Sequence, residues 1–404
     1  MSTSTLTIEP TFTTGLKATG KSAPISAAAW GSDGETLVTS SETTMTVWRC
    51  QKDRNTLLRF LGHTKNITCV DYKIYENGRS LAVSVGADCT MRLWTPTARG
   101  GSVAMKAHTA AINHVCFSND GRHILSCGND RVIKLHKIGV PTESKPIPTA
   151  TFVRSYTGHT NFVRCAVFSP DCDMIYSIGD DAVIRVWNTE SGKQIQTIGK
   201  GLIKDDAPLV APSPDGQFIA AAVGSNVLCW ELRRCGLHEA HGKGLIWMFE
   251  TPGAVRSLSW HASSEYIAVG SVGVADPVPA VHIYNSVEGR TEHTLTGHVG
   301  SVTAVRFTKD GRKLASCDTL GQICLWMMKE RPISGQTAPV QFEEHTPEPS
   351  APVMIEAQQP DSVPTDMVQA MQTLSQQLQY VTGVMSALEK RISSVEDRVA
   401  RLGE

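Results

Sequence analysis

A Gly-His pair, an apolar run, a turn, a serine, an aspartate and a closing tryptophan recur along this chain. A unit repeated at near-fixed spacing restricts the fold to a stack or a closed ring of that unit. The set stands as Gly62-His63 with Ser84, Asp88 and Trp94, and again as Gly158-His159 with Ser177, Asp181 and Trp187. A third copy has His108, Ser126 and Asp130 but closes on His136, and a fourth runs from Gly297-His298 through Ser316 to Trp326, with Leu320 where the aspartate would stand. The histidine precedes the closing residue by 28 positions in three copies and by 31 in the other. Weaker copies close on Trp48, Trp230 and Tyr284, which brings the number to seven.

Successive closing residues lie 42 to 54 positions apart, the length of a small four-stranded antiparallel sheet plus its loops. Within a copy the apolar and polar residues alternate between turn signals, as in Val163 to Phe168, Ser169-Pro170-Asp171, Met174 to Ser177, Gly179-Asp180-Asp181 and Val183 to Trp187. The Gly-His, Ser, Asp and Trp set resembles that of the WD-repeat family over about 80% of the chain. The resemblance implies an all-β, seven-bladed WD40 propeller over residues 1–330. It also implies that an N-terminal strand, expected at Thr11 to Thr19, completes the last blade outside the strand ending at Trp326, leaving no open sheet edge at the ring closure.

Histidine, serine and aspartate recurring together could suggest nucleophilic catalysis. Repetition argues otherwise, since an active site is needed once and a structural staple in every blade. The resemblance implies that these side chains and the Trp N–H form a buried hydrogen-bond chain. Other chemical signals fail on spacing. Gly236 to Gly242-Lys243 encloses five residues where a phosphate-binding loop has four, with Gly244 in place of Ser or Thr, and His238-Glu239-Ala240-His241 is one residue short of a zinc-protease helix motif. The eleven cysteines contain no C-x-x-C pair, so neither a disulfide framework nor a zinc site is expected. The chain is read as a non-enzyme with no cofactor, no metal and no catalytic residue. Segments Lys137 to Ser155, Glu231 to Gly253 and Gly270 to Ala280 read as long surface loops and candidate contact surfaces.

The charge balance shifts sharply near residue 331. The first 331 residues hold 34 Lys+Arg and 29 Asp+Glu, the rest 4 and 10, with no Lys or Arg between Arg331 and Lys390. Such a tail is unsuited to nucleic acid, and no apolar run approaches the roughly 18 residues of a membrane span; neither partner is expected. Residues 331–365 read as a Pro-rich, acidic, flexible linker. From 366 to 404 a strict 4-3 apolar spacing predicts an α-helical coiled coil, with Met371, Leu378, Met385, Ile392 and Val399 at a, and Leu374, Val381, Leu388, Val395 and Leu402 at d. Arg391 and Glu396 fall at g and e, where they can pair between chains. The β-branched residues in the last heptads point to a trimer, with a dimer as the alternative.

The tail segments Leu388-Glu389-Lys390-Arg391-Ile392 and Val395-Glu396-Asp397-Arg398 resemble the C-terminal motif of the proteome of centriole protein 1 family. That resemblance implies a cytoplasmic, cytoskeletal scaffold of the centriole or basal body that contacts tubulin and neighbouring wall proteins and supports microtubule triplets and cilium formation. The competing expectation is a subunit or substrate adaptor of another multiprotein complex, in ubiquitin ligation, splicing or transcription.

Overall fold

The computed structural model describes residues 5–12, 23–50, 55–96, 101–139, 147–203, 209–234, 244–272 and 279–331. The chain divides after Gly335 into two units, and every described residue belongs to the first. The linker, the 366–404 helix with its whole seam and the glycine-lysine and histidine-glutamate segments at 235–243 lie outside the described residues.

Seven four-stranded antiparallel sheets follow one another. Blades 1 to 6 span residues 25–61, 67–106, 112–157, 163–198, 209–250 and 255–296, each running in chain order from its innermost to its outermost strand. Blade 7 has only three strands of its own, within 302–331, and takes its outermost strand from Thr5–Phe12. That strand pairs antiparallel with Ile323–Arg331, from Thr5 opposite Arg331 to Phe12 opposite Leu325. The closing strand thus begins six residues before the expected Thr11 and ends seven before the expected Thr19, with only Thr11 and Phe12 shared.

The core lies between blades rather than at the centre. Seven clusters of buried side chains each join two neighbours, for example Ile178, Ile184 and Val186 of blade 4 with Val210, Ile219 and Trp230 of blade 5, and Ala304, Ala315 and Ile323 of blade 7 with Ile25, Leu37 and Trp48 of blade 1. A middle strand is covered on both faces, which is why Tyr266–Ser271 is buried at all six positions. An outermost strand is covered only in part, and Leu245–Glu250 alternates half-buried with exposed. Two of the expected loops are corrected here: Ala150–Thr157 and Leu245–Glu250 are the outer strands of blades 3 and 5.

Neighbouring innermost strands are stitched by short polar side chains. Ser26, Thr68, Asn113 and Thr303 occupy the second position of their strands, and each donates to the carbonyl of the first residue of the next blade's innermost strand, Ile67, Ile112, Val163 and Ile25 respectively. The last of these crosses the ring closure, so blades 7 and 1 are joined by side chain as well as by packing.

Candidate interaction site

Each strong copy of the motif folds into one connected chain of donors at the same end of its blade. In blade 2 the Trp94 indole N–H donates to Ser84 Oγ at 2.8 Å, the Ser84 hydroxyl meets His63 Nε2 at 2.7 Å, and His63 Nδ1 meets Asp88 at 2.8 Å. The direction follows from the indole, which can only donate: Ser84 then donates to Nε2, and Nδ1–H to the carboxylate. Asp88 also accepts the Thr64 and Thr90 backbone N–H groups and the Thr90 hydroxyl. Burial raises its pKa, but these hydrogen bonds and that of His63 outweigh burial and hold it at about 2. His63 is itself pushed below the ordinary histidine range, by burial first, so the ring is neutral at pH 7.

Blade 4 repeats the arrangement through Trp187, Ser177, His159 and Asp181, at 2.8 Å for each of the three links. Blade 3 joins His108 to Ser126 and Asp130 at 2.9 Å each. Its closing residue, His136, is 4% exposed and its Nδ1 has no hydrogen-bond partner.

Blade 7 keeps the geometry with a different residue. Trp326, Ser316 and His298 are linked at 2.9 and 2.7 Å, and His298 Nδ1 reaches Asp318 at 3.2 Å. Gly86-Ala87-Asp88, Gly128-Asn129-Asp130 and Gly179-Asp180-Asp181 are replaced by Asp318-Thr319-Leu320, so the carboxylate comes from the strand end two residues earlier. In the other three blades that strand end must be glycine, because a Cβ would meet the carbonyl of Asn66, Ala111 or Phe162 within 2.7 Å. Leu320 is left 43% exposed at the turn.

Strand register explains the weaker copies. The serine always lies two residues beyond the partner of the closing aromatic: Trp94 pairs Ala82, Trp187 pairs Ile175 and Trp326 pairs Leu314. Trp48 pairs Leu37, which puts Thr39 in the serine's place, and its hydroxyl accepts the Trp48 N–H at 2.9 Å. Trp230 pairs Ile219, which puts Ala221 there. Trp230 is fully buried and its N–H has no acceptor. Ala221→Ser is therefore expected to raise the unfolding free energy by about 1 kcal/mol, the worth of one recovered hydrogen bond; equilibrium urea unfolding of the variant beside wild type checks it.

What these sets can do chemically is limited by enclosure. The Ser84, Ser177 and Ser316 residues are fully buried, and the paired histidine and aspartate side chains are between 0% and 8% exposed. Each hydroxyl is spent between an indole and an imidazole, leaving no face for a substrate carbonyl, whereas a serine nucleophile needs one. Among the described residues, no cluster of three or more His, Cys, Asp or Glu side chains could hold a metal ion.

The innermost strands enclose a central channel of about 470 Å³. Its polar lining includes Asp71, His114, Arg164, Arg256, Arg306 and Lys309. Arg164 is held by a two-pronged pair with Asp180 at 2.7 and 2.6 Å. Asp71 accepts the Phe117 N–H at 2.7 Å and the Tyr72 N–H at 2.8 Å; burial pushes its pKa up despite those bonds. The repeat pattern does not reveal these channel residues, because the residue type at equivalent positions of the innermost strands changes from blade to blade: the fifth position is Asp71 in blade 2 and Arg306 in blade 7.

Comparison with known proteins agrees with this architecture. The family model of the WD domain, G-beta repeat, matches residues 12–49, 54–95, 102–137, 150–188 and 289–327, which fall in blades 1, 2, 3, 4 and 7. Serine-threonine kinase receptor-associated protein of Gallus gallus is 24% identical over 61% of this chain and 63% of its own length. The Dictyostelium discoideum protein of the same name is 26% identical over 62% of this chain and 78% of its own. Transcription initiation factor TFIID subunit 5 of Caenorhabditis elegans is 27% identical over 44% of this chain and 25% of its own. The chain thus spans under two thirds of the vertebrate relatives it matches. Five blades that match the repeat directly, and two of the same build that complete the ring, place this chain in the WD40-repeat family.

Proposed function

We propose that this protein is a non-catalytic scaffold that holds other proteins together, with the propeller as docking body and the C-terminal helix as multimerising element. The observation that carries the reading is the enclosure of every His-Ser-Asp set inside its blade, which leaves, among the described residues, no repeated reactive group at the surface. The names of the relatives, a receptor-associated protein and a transcription factor subunit, fit a part that works in assemblies. A self-associating tail would multiply weak propeller contacts by raising effective concentration.

The finer reading places the scaffold in the centriole or basal-body wall, against tubulin and wall proteins. Its support is the tail motif around Leu388 to Arg398, and the positive propeller half suits an acidic partner. Imaging a fluorescently tagged copy against tubulin in dividing ciliated cells tests this reading. Signal along the wall supports it, and diffuse or nuclear signal replaces it with the subunit of another complex. The multimerising element is tested separately by Leu388→Pro, since proline breaks an interior helix. Light scattering is expected to give the mass of a single chain for the variant and two or three times that for wild type. An unchanged mass would remove the helix from the reading.

A further inference from the structure

Arg306 is the channel residue whose chemistry the fold leaves unfinished. It lies on the innermost strand of blade 7 and is half-buried. Its Nη1 is anchored on the channel wall by Ser257 Oγ at 3.0 Å, Val305 O at 2.9 Å and Leu258 O at 3.2 Å. Among the described residues no carboxylate lies within ion-pair distance of it, in contrast to Arg164, which the same channel neutralises with Asp180. The Nε and Nη2 edge carries three N–H donors with no acceptor on the described protein. A guanidinium partly withdrawn from water is ordinarily paired, because the solvation it gives up must be replaced.

The surroundings add positive charge at the same end. Lys309 follows three residues later and lines the channel mouth. Lys73 stands beyond Asp71, with its ammonium on the Asn119 carbonyl, and the charges of Lys309, Asp71 and Asp120 all act on it. The acid of the lining, Asp71, feels the Arg306 charge, but its two oxygens already accept backbone N–H groups. The turn carboxylates at this end are likewise engaged: Asp120 and Asp310 accept hydroxyls from Ser118 and Thr308. A dianion answers three cations better than a single carboxylate does, and a planar guanidinium edge matches two oxygens of one phosphate.

We propose that the central channel is a binding site for a phosphate group, held in two-pronged fashion by the Nε and Nη2 edge of Arg306 with Lys309 and Lys73 supplying the remaining charge. The phosphate is either a free inorganic ion or one borne on a peptide that enters the channel mouth. Such a site would let the scaffold read a phosphorylated partner, or would complete the ring with a structural anion.

The test uses the full chain. Inorganic phosphate is titrated while its 31P line width is followed, and melting is recorded in phosphate against sodium chloride at equal ionic strength. The expected result is line broadening that saturates, together with a melting shift at least 3 °C above the chloride reference. Arg306→Gln should abolish both. Arg306→Lys keeps the charge without the fork and should weaken binding at least fivefold. Arg122→Gln, which removes a charge from an exposed turn, should bind as wild type does. A phosphoserine peptide binding at least tenfold tighter than inorganic phosphate identifies a protein-borne group, and equal or weaker binding identifies the free ion. Absence of broadening with the unaltered protein overturns the proposal whether or not the variants fold, and so does an Arg306→Gln protein that responds as wild type.

Discussion

Asp181→Ala is expected to lower the unfolding free energy by about 3 kcal/mol, enough to remove a large part of the stability of an ordinary domain. Its carboxylate joins three partners: His159 Nδ1 at 2.8 Å, the Thr160 N–H at 3.1 Å and Arg185 Nη2 at 3.1 Å. The side chain is 4% exposed. Burial alone would raise its pKa, and the hydrogen bond and charge of His159, with those of Thr160 and Arg185, hold it below the usual carboxylate value. Alanine leaves a buried imidazole N–H and a backbone N–H without an acceptor and strips Arg185 Nη2 of its partner while Nη1 keeps Gln194, and such donors cost about 1–3 kcal/mol together, more where one is charged. His159 would still accept from Ser177, so the loss is confined to one end of the chain of bonds. Asp120→Ala, at a turn where the side chain is 47% exposed, should cost less than about 1 kcal/mol. Equilibrium urea unfolding of both variants checks the pair, and a change below about 0.5 kcal/mol for Asp181→Ala would refute the staple role.

The sequence carries the ring and its staples because both repeat. A middle strand is buried on two faces and must be apolar throughout, and the closing aromatic, 4% exposed or less in all seven blades, has few substitutes of its size. The outer strands are a different matter. Leu245–Glu250 carries apolar Ile246 and Met248 on its exposed face, and Ala150–Thr157 carries a register irregularity opposite Leu135 and His136, so neither sequence shows a clean alternation. Both were hidden inside segments that read as loops. The closing strand Thr5–Phe12 is held by backbone pairing to Ile323–Arg331, and pairing of that kind selects an alternating stretch without fixing which one.

Two further features depended on register rather than on residue spacing. Asp318 lies two positions ahead of the place where spacing puts Leu320, and only the strand-end glycines of the other blades mark the exchange. Ala221 is nine residues before Trp230, as Thr39 is nine before Trp48, whereas the serines of the strong copies precede their tryptophans by ten. The reason is a tighter turn between the second and third strands: Val223 pairs Asn226, and Ser41 pairs Thr44. A two-residue turn shortens the spacing by one while the pairing across the strands stays the same. The channel arginine was illegible for the opposite reason. It belongs to no pattern, and its lack of an acid partner is a fact of three-dimensional placement.

His136 gives the propeller a dependence on pH from a position that has no complete staple. It occupies the closing position of blade 3, where five other blades have tryptophan, and packs edge-on against Phe152 with ring centres 5.9 Å apart. Burial first, then the charges of His108 and Lys134, push its pKa down to about 4, against about 6.5 for an unfolded chain. The folded ring therefore stays neutral between those values while the unfolded ring takes a proton. Stability is unaffected above about pH 6.5, falls as the pH drops below it, and stops falling below about pH 4. Between pH 7.5 and pH 5 the difference comes to about 2 kcal/mol for this one group. His136→Phe keeps an aromatic ring in the site and removes the titration, so the variant should lose about 2 kcal/mol less than wild type over that interval. His63 shifts in the same direction, but it is present in both proteins and cancels in the comparison. Urea unfolding of the two at pH 7.5 and pH 5 measures the difference directly. Equal losses would mean that the buried ring is protonated in the folded blade, and that its unpartnered Nδ1 finds an acceptor once it carries the proton.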